Sequence, residues 1–309
     1  MSQANTSQEL PLKSTMRFEY GQSRELRPGI RRIVANNPSP FTFKGTNTYL
    51  VGTGSELVVI DPGPDDAAHL RAILQAAGTA RIGTILLTHT HRDHYDGVPA
   101  LQAATGAKTA GFGRIFKRSA LLAEAASSEE PQADFKPDIV LGDDAVLAWD
   151  GQALEALHTP GHAPDHLCFA LTGTKLLFSG DHVMSWNTSV VAPPEGSMGA
   201  YLRSLERLVP RDDEVFLPGH GGTLRSPQKT VRAFIIHRKM REQAILDAIR
   251  KGQTTIPLVV DVVYRGLDPR LVKAARASVL AHVERLVEMG LVACEGPPTL
   301  DRALAAVST

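Results

Sequence analysis

A histidine-rich segment follows an apolar stretch in the first third of the chain. Residues 88–94 read Thr-His-Thr-His-Arg-Asp-His, so three imidazoles and one carboxylate lie within six residues. Alternation at positions 89, 91 and 93 would point three donors to one side, and imidazole and carboxylate are ligands of borderline divalent cations such as zinc. A loop that is rich in histidine by chance explains the density less well, because partner residues recur downstream. The segment predicts a metal-binding loop.

The composition predicts a globular protein of one large domain or about two ordinary ones. The 309 residues are 43% apolar and 6% aromatic, and 33 basic residues balance 33 acidic ones. At about 150 residues per domain, the chain is long enough for a sizeable core. Because the charges cancel, no overall field indicates a nucleic-acid or membrane partner. The two cysteines, Cys168 and Cys294, are too few for a disulfide framework.

Cytoplasmic localisation is the expectation from the N-terminal region and the apolar runs. Residues 1–16 are polar, lack the apolar stretch of a secretory signal and are predicted to be flexible. No apolar run approaches the roughly 18 residues of a membrane span, so no membrane partner is expected. A weak transit peptide stays open as the alternative.

Strand-like and helix-like patterns alternate through the first 225 residues. Apolar runs that end at Gly, Pro, Asp or His predict strands at 47–51, 57–60, 84–88, 146–149, 167–171, 175–178 and 214–217. The connection Thr172-Gly173-Thr174 predicts a hairpin. Apolar residues at helical spacing predict helices at 65–77, 97–104 and 200–208. This mixed layout predicts sheets covered by helices.

Helix-forming residues dominate after residue 226. Ser226 and Pro227 are predicted as the N-cap and first residue of a long helix that ends at Arg250. Two further helices are predicted at 255–264 and 269–289, followed by a short strand at 291–294, a turn and a final element at 299–305. Three helices and a small β wing have a winged-helix outline. The predicted domains are therefore 17–226, catalytic, and 227–309, winged-helix-like.

Three further ligand candidates follow strand-like or turn-rich runs. His162 follows Thr-Pro-Gly, Asp181 follows Ser-Gly, and His220 follows Pro-Gly. The glycine beside each one lets the backbone turn sharply without a Cβ in the way. Together with the first segment they make five histidines and two aspartates, enough for two ions that share a carboxylate.

The complete motif set resembles the metallo-β-lactamase superfamily. His-x-His-x-Asp-His at 89–94, Thr-Pro-Gly-His at 159–162, Ser-Gly-Asp at 179–181 and Pro-Gly-His-Gly at 218–221 follow Val-Ile-Asp-Pro-Gly at 59–63. Residues 37–42 and 45–50 and the winged-helix outline resemble the β-lactamase-like endoribonuclease group of mitochondria and its bacterial relatives. The resemblance implies an α+β fold, a four-layer αβ/βα sandwich followed by a small winged-helix-like helical domain.

This resemblance implies a dinuclear zinc site, with iron or manganese as alternative metals. The implied ligands are His89, His91 and His162 for one ion, Asp93, His94 and His220 for the other, and Asp181 as the bridge. A hydroxide between the ions would be the nucleophile, because zinc lowers the pKa of bound water from ~15.7 to about 7. Asp93 would have a catalytic role as well, by orienting that hydroxide.

Other residues near the motifs are candidates for supporting roles. Asp61 is either a carboxylate that orients a ligand imidazole or a turn residue before Pro-Gly. His166 is a candidate catalytic residue that would donate to a substrate oxygen or protonate a leaving group, and His182 is a weaker candidate for that role. The remaining histidines are predicted to be surface or capping residues: His69, His158, His237 and His282.

Hydrolysis of an ester-like or phosphodiester bond is the predicted activity, although the fold alone does not select the substrate. Single-stranded RNA is the leading substrate, because residues 225–251 hold eight basic residues against two acidic ones. A solvated helix face explains the same charges. A small-molecule thioester, as for glyoxalase II, or a lactone is the alternative, although the tail does not match a glutathione-binding arrangement.

Departures from the motifs disfavour two other superfamily activities. Secreted β-lactamases usually carry Cys at the position of Asp181, and diiron oxygen reductases carry Glu at the position of His91. A mononuclear iron persulfide dioxygenase, whose ligands overlap this set, stays open. So does a nucleic-acid-binding module with a vestigial metal site. The C-terminal part could equally pack as a dimer surface, so a homodimer is compatible with the sequence.

Overall fold

Two β-sheets dominate the computed structural model, which describes residues 10–13, 15–113 and 135–307. Within these ranges one sheet has seven strands in chain order and the other has five in the order β12-β11-β10-β9-β8. The first sheet contains β1 (Arg24–Arg27), β2 (Ile30–Val34), β3 (Asn47–Val51), β4 (Glu56–Ile60), β5 (Arg81–Leu86), β6 (Lys108–Gly111) and β7 (Ile139–Val140). The second contains β8 (Val146–Trp149), β9 (Gln152–His158), β10 (Leu167–Leu171), β11 (Leu176–Gly180) and β12 (Val215–Pro218).

Helices cover the outer faces of both sheets and form most of the C-terminal part. They are α1 (Ala67–Ala77), α2 (Arg92–Tyr95), α3 (Val98–Thr105), α4 (Met198–Leu208), α5 (Pro227–Arg250), α6 (Ile256–Val263) and α7 (Val272–Glu288). A short 3-10 helix, Pro269–Leu271, precedes α7, and the antiparallel strands β13 (Val292–Cys294) and β14 (Leu304–Ala306) follow it. No helix in the described part of the chain is long and apolar enough to cross a membrane.

The main core lies between the two sheets. On β4, Val58 and Ile60 face this core while Val59 faces the helices, as the two-residue period of a strand requires. Across the interface the ring of Tyr49 packs edge-on against Phe178, with ring centroids 5.2 Å apart. Separate apolar clusters join the outer faces to α1 and α3 on one side and to α4 and α5 on the other. The predicted four-layer αβ/βα sandwich is confirmed.

Strand direction brings the functional loops to one edge of the sandwich. Strands β4 and β5 are parallel, as are β11 and β12, so the loops that follow each pair start at the same edge. A backbone hydrogen bond of 2.7 Å from Asn47 N–H to the Gly219 carbonyl joins the two sheets there. The Asn47 side chain also donates to the carbonyls of Pro218 and Gly221. The Asn-Thr-Tyr segment therefore links the sheets beside the candidate ligands.

Helix α5 connects the sandwich to the C-terminal helices. Its first half, with Val231 and Phe234, packs on the second sheet, whereas Ile245 and Ile249 pack with α6, α7, β13 and β14. Ser226 is the N-cap, as predicted, but its side chain makes no capping hydrogen bond. The boundary between 226 and 227 coincides with the start of α5 and stays a prediction as a domain border.

The predicted elements agree with the structure except near a few termini. The hairpin between β10 and β11 is antiparallel and turns at Thr172-Gly173-Thr174, as predicted. The last predicted element, 299–305, is a turn followed by β14. Most of the predicted flexible segment 1–16 lies outside the described residues, yet Leu10 and Leu12 pack against the second sheet's outer cluster and the Lys13 N–H donates to the Ser185 carbonyl.

Candidate metal centre

All seven predicted ligands lie together at the edge where the functional loops meet. The loop after β5 carries His89 and His91 and runs into α2, which carries Asp93 and His94. The loops after β9, β11 and β12 carry the others, His162, Asp181 and His220. No residue of the seven is more than 6% exposed. Segments that are far apart in the chain thus converge on one buried cluster of nitrogen and oxygen atoms.

Three imidazoles form one half of the cluster. His91 Nδ1 lies 3.0 Å from His89 Nε2 and 3.0 Å from His162 Nε2. The three ligand atoms all lie within 4.8 Å of one another. Three neutral imidazoles at this spacing match the open three-histidine site of a catalytic zinc.

Two carboxylates distinguish the other half. His220 Nε2 lies 3.1 Å from Asp93 Oδ2 and 3.2 Å from Asp181 Oδ2. His94 Nε2 lies 3.4 Å from Asp93 Oδ2 and 3.6 Å from Asp181 Oδ1. Asp181 Oδ2 is also 3.8 Å from His162 Nε2 of the first half. Asp181 therefore contacts both groups, which is the position that a bridging carboxylate would occupy.

Hydrogen bonds outside the cluster orient four of the five imidazoles. The Nδ1–H of His94 donates to Asp61 Oδ2 at 2.8 Å, and that of His162 donates to the Val190 carbonyl at 2.6 Å. His89 Nδ1 donates to the Thr88 hydroxyl, whose own proton goes to Asp61, and His220 Nδ1 faces the Gly45 carbonyl at 3.3 Å. The Nε2 of each of these four imidazoles therefore faces the cluster, as metal binding requires.

Unsatisfied buried atoms show that the cluster suits cations. His94 Nε2 and Asp181 Oδ1 are fully buried and have no hydrogen-bond partner among the residues that the structure describes. A buried polar atom without a partner costs roughly 1–3 kcal/mol, and more when it is charged, and a coordinated cation would remove that cost. The donor set of nitrogen and carboxylate oxygen fits zinc, iron or manganese.

The electrostatics of the two halves differ. Burial, followed by the neighbouring imidazoles, holds the pKa values of His89 and His91 well below the ordinary value, so these ligands are neutral. Burial also opposes protonation of His220, but Asp181 and Asp93 outweigh it and raise its pKa to about 10. The carboxylate-bearing half therefore attracts positive charge, which a metal ion would supply.

Asp61 connects several parts of the centre. Its carboxylate accepts from His94 Nδ1 and from both the N–H and the hydroxyl of Thr88, each at 2.8 Å. The residue is buried and has a φ of +51°, in the left-handed region that a non-glycine residue rarely adopts. Strain at such a position persists where surrounding contacts impose it. Of the two interpretations left open by the sequence, the orienting carboxylate agrees with these contacts.

His166 contacts the backbone of Asp181, and its predicted catalytic role stays a prediction. Its ring is fully buried, and both nitrogens are engaged: Nδ1 with the Thr159 hydroxyl at 2.8 Å, and Nε2 as acceptor of the Asp181 N–H at 3.1 Å. Burial, then His182 and His162, keep its pKa well below the ordinary value. His166 therefore positions the backbone of Asp181. His182 is also fully buried, and its weaker candidacy as a proton donor stays a prediction.

Asp165 is a supporting residue that the sequence analysis missed. Its Oδ2 accepts from the N–H and the hydroxyl of Thr90, at 3.0 and 2.7 Å, and Thr90 lies between two ligands, His89 and His91. Burial raises the pKa of Asp165 to about 6. A carboxylate next to His166, in a loop that already carries a ligand, was the available signal.

His69 and Thr46 support the centre from the first sheet. His69 was predicted to be a surface or capping residue, but it is buried with Nε2 2.8 Å from the Thr48 hydroxyl, which donates to the Asp61 carbonyl. Thr46 donates to Asp93 Oδ2 at 3.2 Å and is itself held by Asn37. Sequence patterns do not reveal these contacts because the partners lie on different strands.

Glycines allow the close approach of loops at the centre. A Cβ at Gly219 would overlap Asp181 Oδ1, and one at Gly161, whose φ is +141°, would overlap the backbone of Tyr201. These two positions explain why glycine precedes His220 and His162.

The basic residues at 238–241, which belong to the basic segment 225–251, make contacts within the protein. Arg238 is only 4% exposed; its guanidinium donates to the Ser189 carbonyl and lies over the Tyr201 ring. Arg241 stacks over Tyr264, with 4.2 Å between guanidinium carbon and ring centroid. Lys239 pairs with a glutamate of α4. These cations hold α5 to the rest of the protein.

Family models match both parts of the chain. The model described as "Metallo-beta-lactamase superfamily" matches residues 41–220, which contain every candidate ligand. The chain belongs to the metallo-β-lactamase superfamily. A second model, "Beta-lactamase associated winged helix domain", matches residues 255–297. The predicted superfamily and winged-helix domain are confirmed, and the protein is a hydrolase of this superfamily with a candidate His/Asp metal site.

Full-length relatives support this membership. The "Beta-lactamase-like protein 2 homolog" of Drosophila melanogaster is 36% identical over 274 residues, covering 86% of this chain and 90% of the relative. An "Atrochrysone carboxyl ACP thioesterase" of Aspergillus fumigatus is 32% identical over 251 residues, covering 81% of this chain and 74% of the relative. The crystal structure of a metallo-beta-lactamase family protein from Thermus thermophilus has a TM-score of 0.75 at 25% identity, covering 92% of this chain and all of that one.

Proposed function

We propose that this metallo-β-lactamase superfamily member is a dinuclear, zinc-dependent hydrolase of thioesters. The single observation that carries the proposal is the pair of adjoining groups of buried imidazoles and carboxylates, both of which Asp181 contacts. His89, His91 and His162 would hold one ion, and Asp93, His94 and His220 the other. Two bound divalent cations would polarise the substrate carbonyl and make a nucleophile available from water near neutral pH.

Residues of the protein orient the candidate ligands and provide a proton acceptor beside them. Thr46 and His220 hold Asp93, whose carboxylate borders the space between the two ligand groups and can accept a proton from the attacking water. Asp61 keeps His94 in one tautomer, and His166 fixes the backbone at Asp181. These contacts preorganise the site, so that little reorganisation is needed when charge develops on the substrate oxygen.

Two aromatic side chains beside the centre support an acyl substrate. Phe43 and Trp186 stack with ring centroids 5.0 Å apart, and both are partly exposed. Phe43 lies two residues from Gly45, whose carbonyl faces His220, and Trp186 lies five residues after Asp181. Phe43 has a φ of +57°, an unfavourable value for an aromatic residue. A strained aromatic pair at this position suits contact with the apolar part of an acyl group.

The name of one relative favours a thioester over RNA as the substrate. A relative at 32% identity is named "Atrochrysone carboxyl ACP thioesterase", and its similarity covers 81% of this chain and 74% of the relative. Single-stranded RNA is the second candidate, because Arg225, Lys229 and Arg232 on and beside the first turns of α5 are not buried. Both substrates would use the same metal centre, so the assay must contain both.

The experiment is a substrate panel on zinc-loaded protein. We expect hydrolysis of S-lactoylglutathione or another acyl thioester, slower turnover of a lactone, and none of nitrocefin or single-stranded RNA. His91→Ala should lower kcat/KM by at least about a thousandfold, because it removes one of three ligands of an ion. His237→Gln, outside the cluster, is the matched control and should retain activity. RNA cleavage that is lost in His91→Ala, without thioester cleavage, would replace the proposed substrate.

The metal assignment has its own measurement. Elemental analysis of protein purified without added metal should find close to two zinc ions per chain, and His91→Ala should contain fewer. One iron per chain would contradict the dinuclear zinc proposal and favour the mononuclear persulfide chemistry.

A further inference from the structure

A cavity at the open side of the sandwich carries an excess of positive charge. It has a volume of about 320 Å³ and lies between β1 and β12, the edge strands of the two sheets, with Lys13 and residues 15–17 along one side. One carboxylate, Glu25, and six cationic side chains line it. The six cations are Lys13, Arg17, Arg24, Arg27, Arg32 and Arg225.

Arg32 is a buried guanidinium that has no carboxylate partner in the described part of the chain. It is 4% exposed, and its polar partners are two backbone carbonyls, of Arg17 at 2.9 Å and of Gly221 at 3.4 Å. Its Nε is buried and has no hydrogen-bond partner within the described ranges. Burial lowers the pKa of Arg32, which shows that the surroundings disfavour its charge. An unpaired buried charge is costly, so an anion in the adjoining cavity would stabilise the protein.

The other cations of the cavity are also unpaired. Within residues 10–13, 15–113 and 135–307, none of the six forms an ion pair with a carboxylate. Ser185, which lines the same cavity, is fully buried and its hydroxyl has no partner. The cavity therefore combines the buried guanidinium of Arg32, the buried hydroxyl of Ser185 and five further cationic side chains. This set of hydrogen-bond donors is complementary to an oxyanion.

The cavity also has an apolar wall. Leu176, Val215 and Leu217 line it and are themselves at most 4% exposed, with Leu26 beside them. Its volume lies at the lower end of the range of small-molecule sites, about 300–1,000 Å³. The shape and lining therefore suit one phosphate group with a small apolar substituent, whereas a nucleic-acid strand would need an extended basic track.

We propose that this cavity is a second ligand site, which binds a small organic phosphate monoester. The guanidinium groups hold the phosphate, the Ser185 hydroxyl donates to it, and the apolar wall contacts the organic part. The site shares no residue with the metal centre, although Gly221, which accepts from Arg32, is adjacent to His220. The proposal does not depend on thioester hydrolysis, because no metal ligand takes part in it.

Calorimetric titration of the zinc-loaded protein in phosphate-free buffer tests the site. The probes are phenyl phosphate and inorganic phosphate. The proteins are wild type, the cavity variants Arg24→Ala and Arg225→Ala, and the control Arg71→Ala. Arg71 is an exposed cation on α1 that does not line the cavity. We expect saturable binding, tighter for phenyl phosphate, that each cavity variant weakens about tenfold or more and the control leaves unchanged.

Three results would overturn the proposal. They are no binding of either probe, affinities in Arg24→Ala and Arg225→Ala equal to that of wild type, and inorganic phosphate binding as tightly as phenyl phosphate. The second result would place the phosphate at the metal centre. The third would identify free phosphate as the ligand and remove the role of the apolar wall.

Thermal unfolding separates a ligand site from a structural role. Because the six cations repel one another, Arg24→Ala without phosphate should unfold at the wild-type temperature or above it. Phenyl phosphate should raise the Tm of wild type and Arg71→Ala, with little effect on Arg24→Ala. A Tm of Arg24→Ala well below wild type in the absence of ligand would show that Arg24 is structural, against the proposal.

Discussion

At the scale of single residues, the geometry of the candidate metal centre depends on residues that hydrogen-bond to the candidate ligands or to their chain neighbours. Asp61 accepts three hydrogen bonds that connect the end of β4 to Thr88 and His94. Asp165 holds Thr90 between His89 and His91. A partner on one imidazole nitrogen fixes the tautomer and the ring orientation with which the other nitrogen binds metal. Asp61 and Asp165 would therefore control the geometry of the candidate ligands without binding a metal ion themselves.

Replacing Asp61 by Asn should weaken metal binding by about tenfold to a hundredfold. Asn tolerates the left-handed backbone at this position, so the fold should be retained, while His94 loses its anionic partner. Competition with a chelating indicator measures the affinity. Asp66→Asn, at the N-cap of α1, is the control and should bind zinc as wild type does. Equal affinities in both variants would contradict the role of Asp61.

His166 should behave as a positioning residue in kinetics. We expect His166→Leu to lower kcat/KM roughly tenfold, because the Asp181 N–H loses its acceptor, while the pH dependence of kcat/KM keeps its wild-type shape. His166→Gln can accept the same hydrogen bond and should recover part of the activity. Loss of one limb of the pH profile in both variants would instead restore His166 as an acid or base.

At the scale of secondary-structure elements, α5 joins the sandwich to the C-terminal helices through buried polar contacts. Glu242 on α5 pairs with Arg285 of α7 and lies 3.3 Å from His282 Nδ1. His282 is fully buried and was wrongly predicted as a surface or capping residue. Helical periodicity located α5 and α7 correctly, but it contains no information on which polar residues meet across a helix interface.

Removal of the Glu242 carboxylate should destabilise the protein measurably. Glu242→Ala leaves Arg285 and His282 without their partner, and we expect a loss of about 2–3 kcal/mol, below the roughly 3–5 kcal/mol of fully buried pairs because Arg285 reaches solvent. Chemical denaturation measures it. The matched control is Glu206→Ala, which breaks the exposed pair between α4 and Lys239 and should cost less than about 1 kcal/mol. Similar losses in the two variants would contradict this assignment.

Helix α7 should make stability depend on pH near neutrality. Burial, followed by the like charge of Glu288, raises the pKa of Glu284 to about 7. Its ionised form therefore destabilises the folded state above that pH, and the penalty disappears as the pH falls toward the ordinary value of the unfolded chain. Glu284→Gln should raise the Tm at pH 8 but not at pH 5. The exposed control Glu295→Gln should change neither, and a fall in Tm for Glu284→Gln at pH 8 would contradict the shift.

At the scale of the whole molecule, the metal ions would join loops from both sheets. The loop after β5 belongs to the first sheet, whereas the loops after β9, β11 and β12 belong to the second. Ligands contributed by both sheets make metal affinity and folding stability one linked quantity.

Metal removal should therefore lower the unfolding temperature. A ligand at about 1,000 times its dissociation constant contributes about 4 kcal/mol, so dialysis against a chelator should lower Tm by roughly 10 °C, and zinc should restore it. Differential scanning calorimetry follows the change. His237→Gln should respond as wild type does, and His91→Ala should respond less. A Tm unaffected by chelation in wild type would mean that the loops are held without metal.

The sequence by itself determined the seven candidate ligands, the superfamily and the positions of most helices and strands, although β1, β2, β6 and β7 were not predicted. Metal ligation needs particular residue types at strand ends, and secondary structure follows short apolar periods, so both leave local patterns. Only the tertiary structure decided which cationic side chains are buried against other parts of the protein and which gather at a cavity. Arg238 lies on an apparently basic helix face but is buried against Ser189, 49 positions away, whereas the cavity cations near Arg32 are gathered from the N-terminal segment, β1, β2 and the loop before α5. Burial and pairing depend on contacts between distant segments, which no local pattern records.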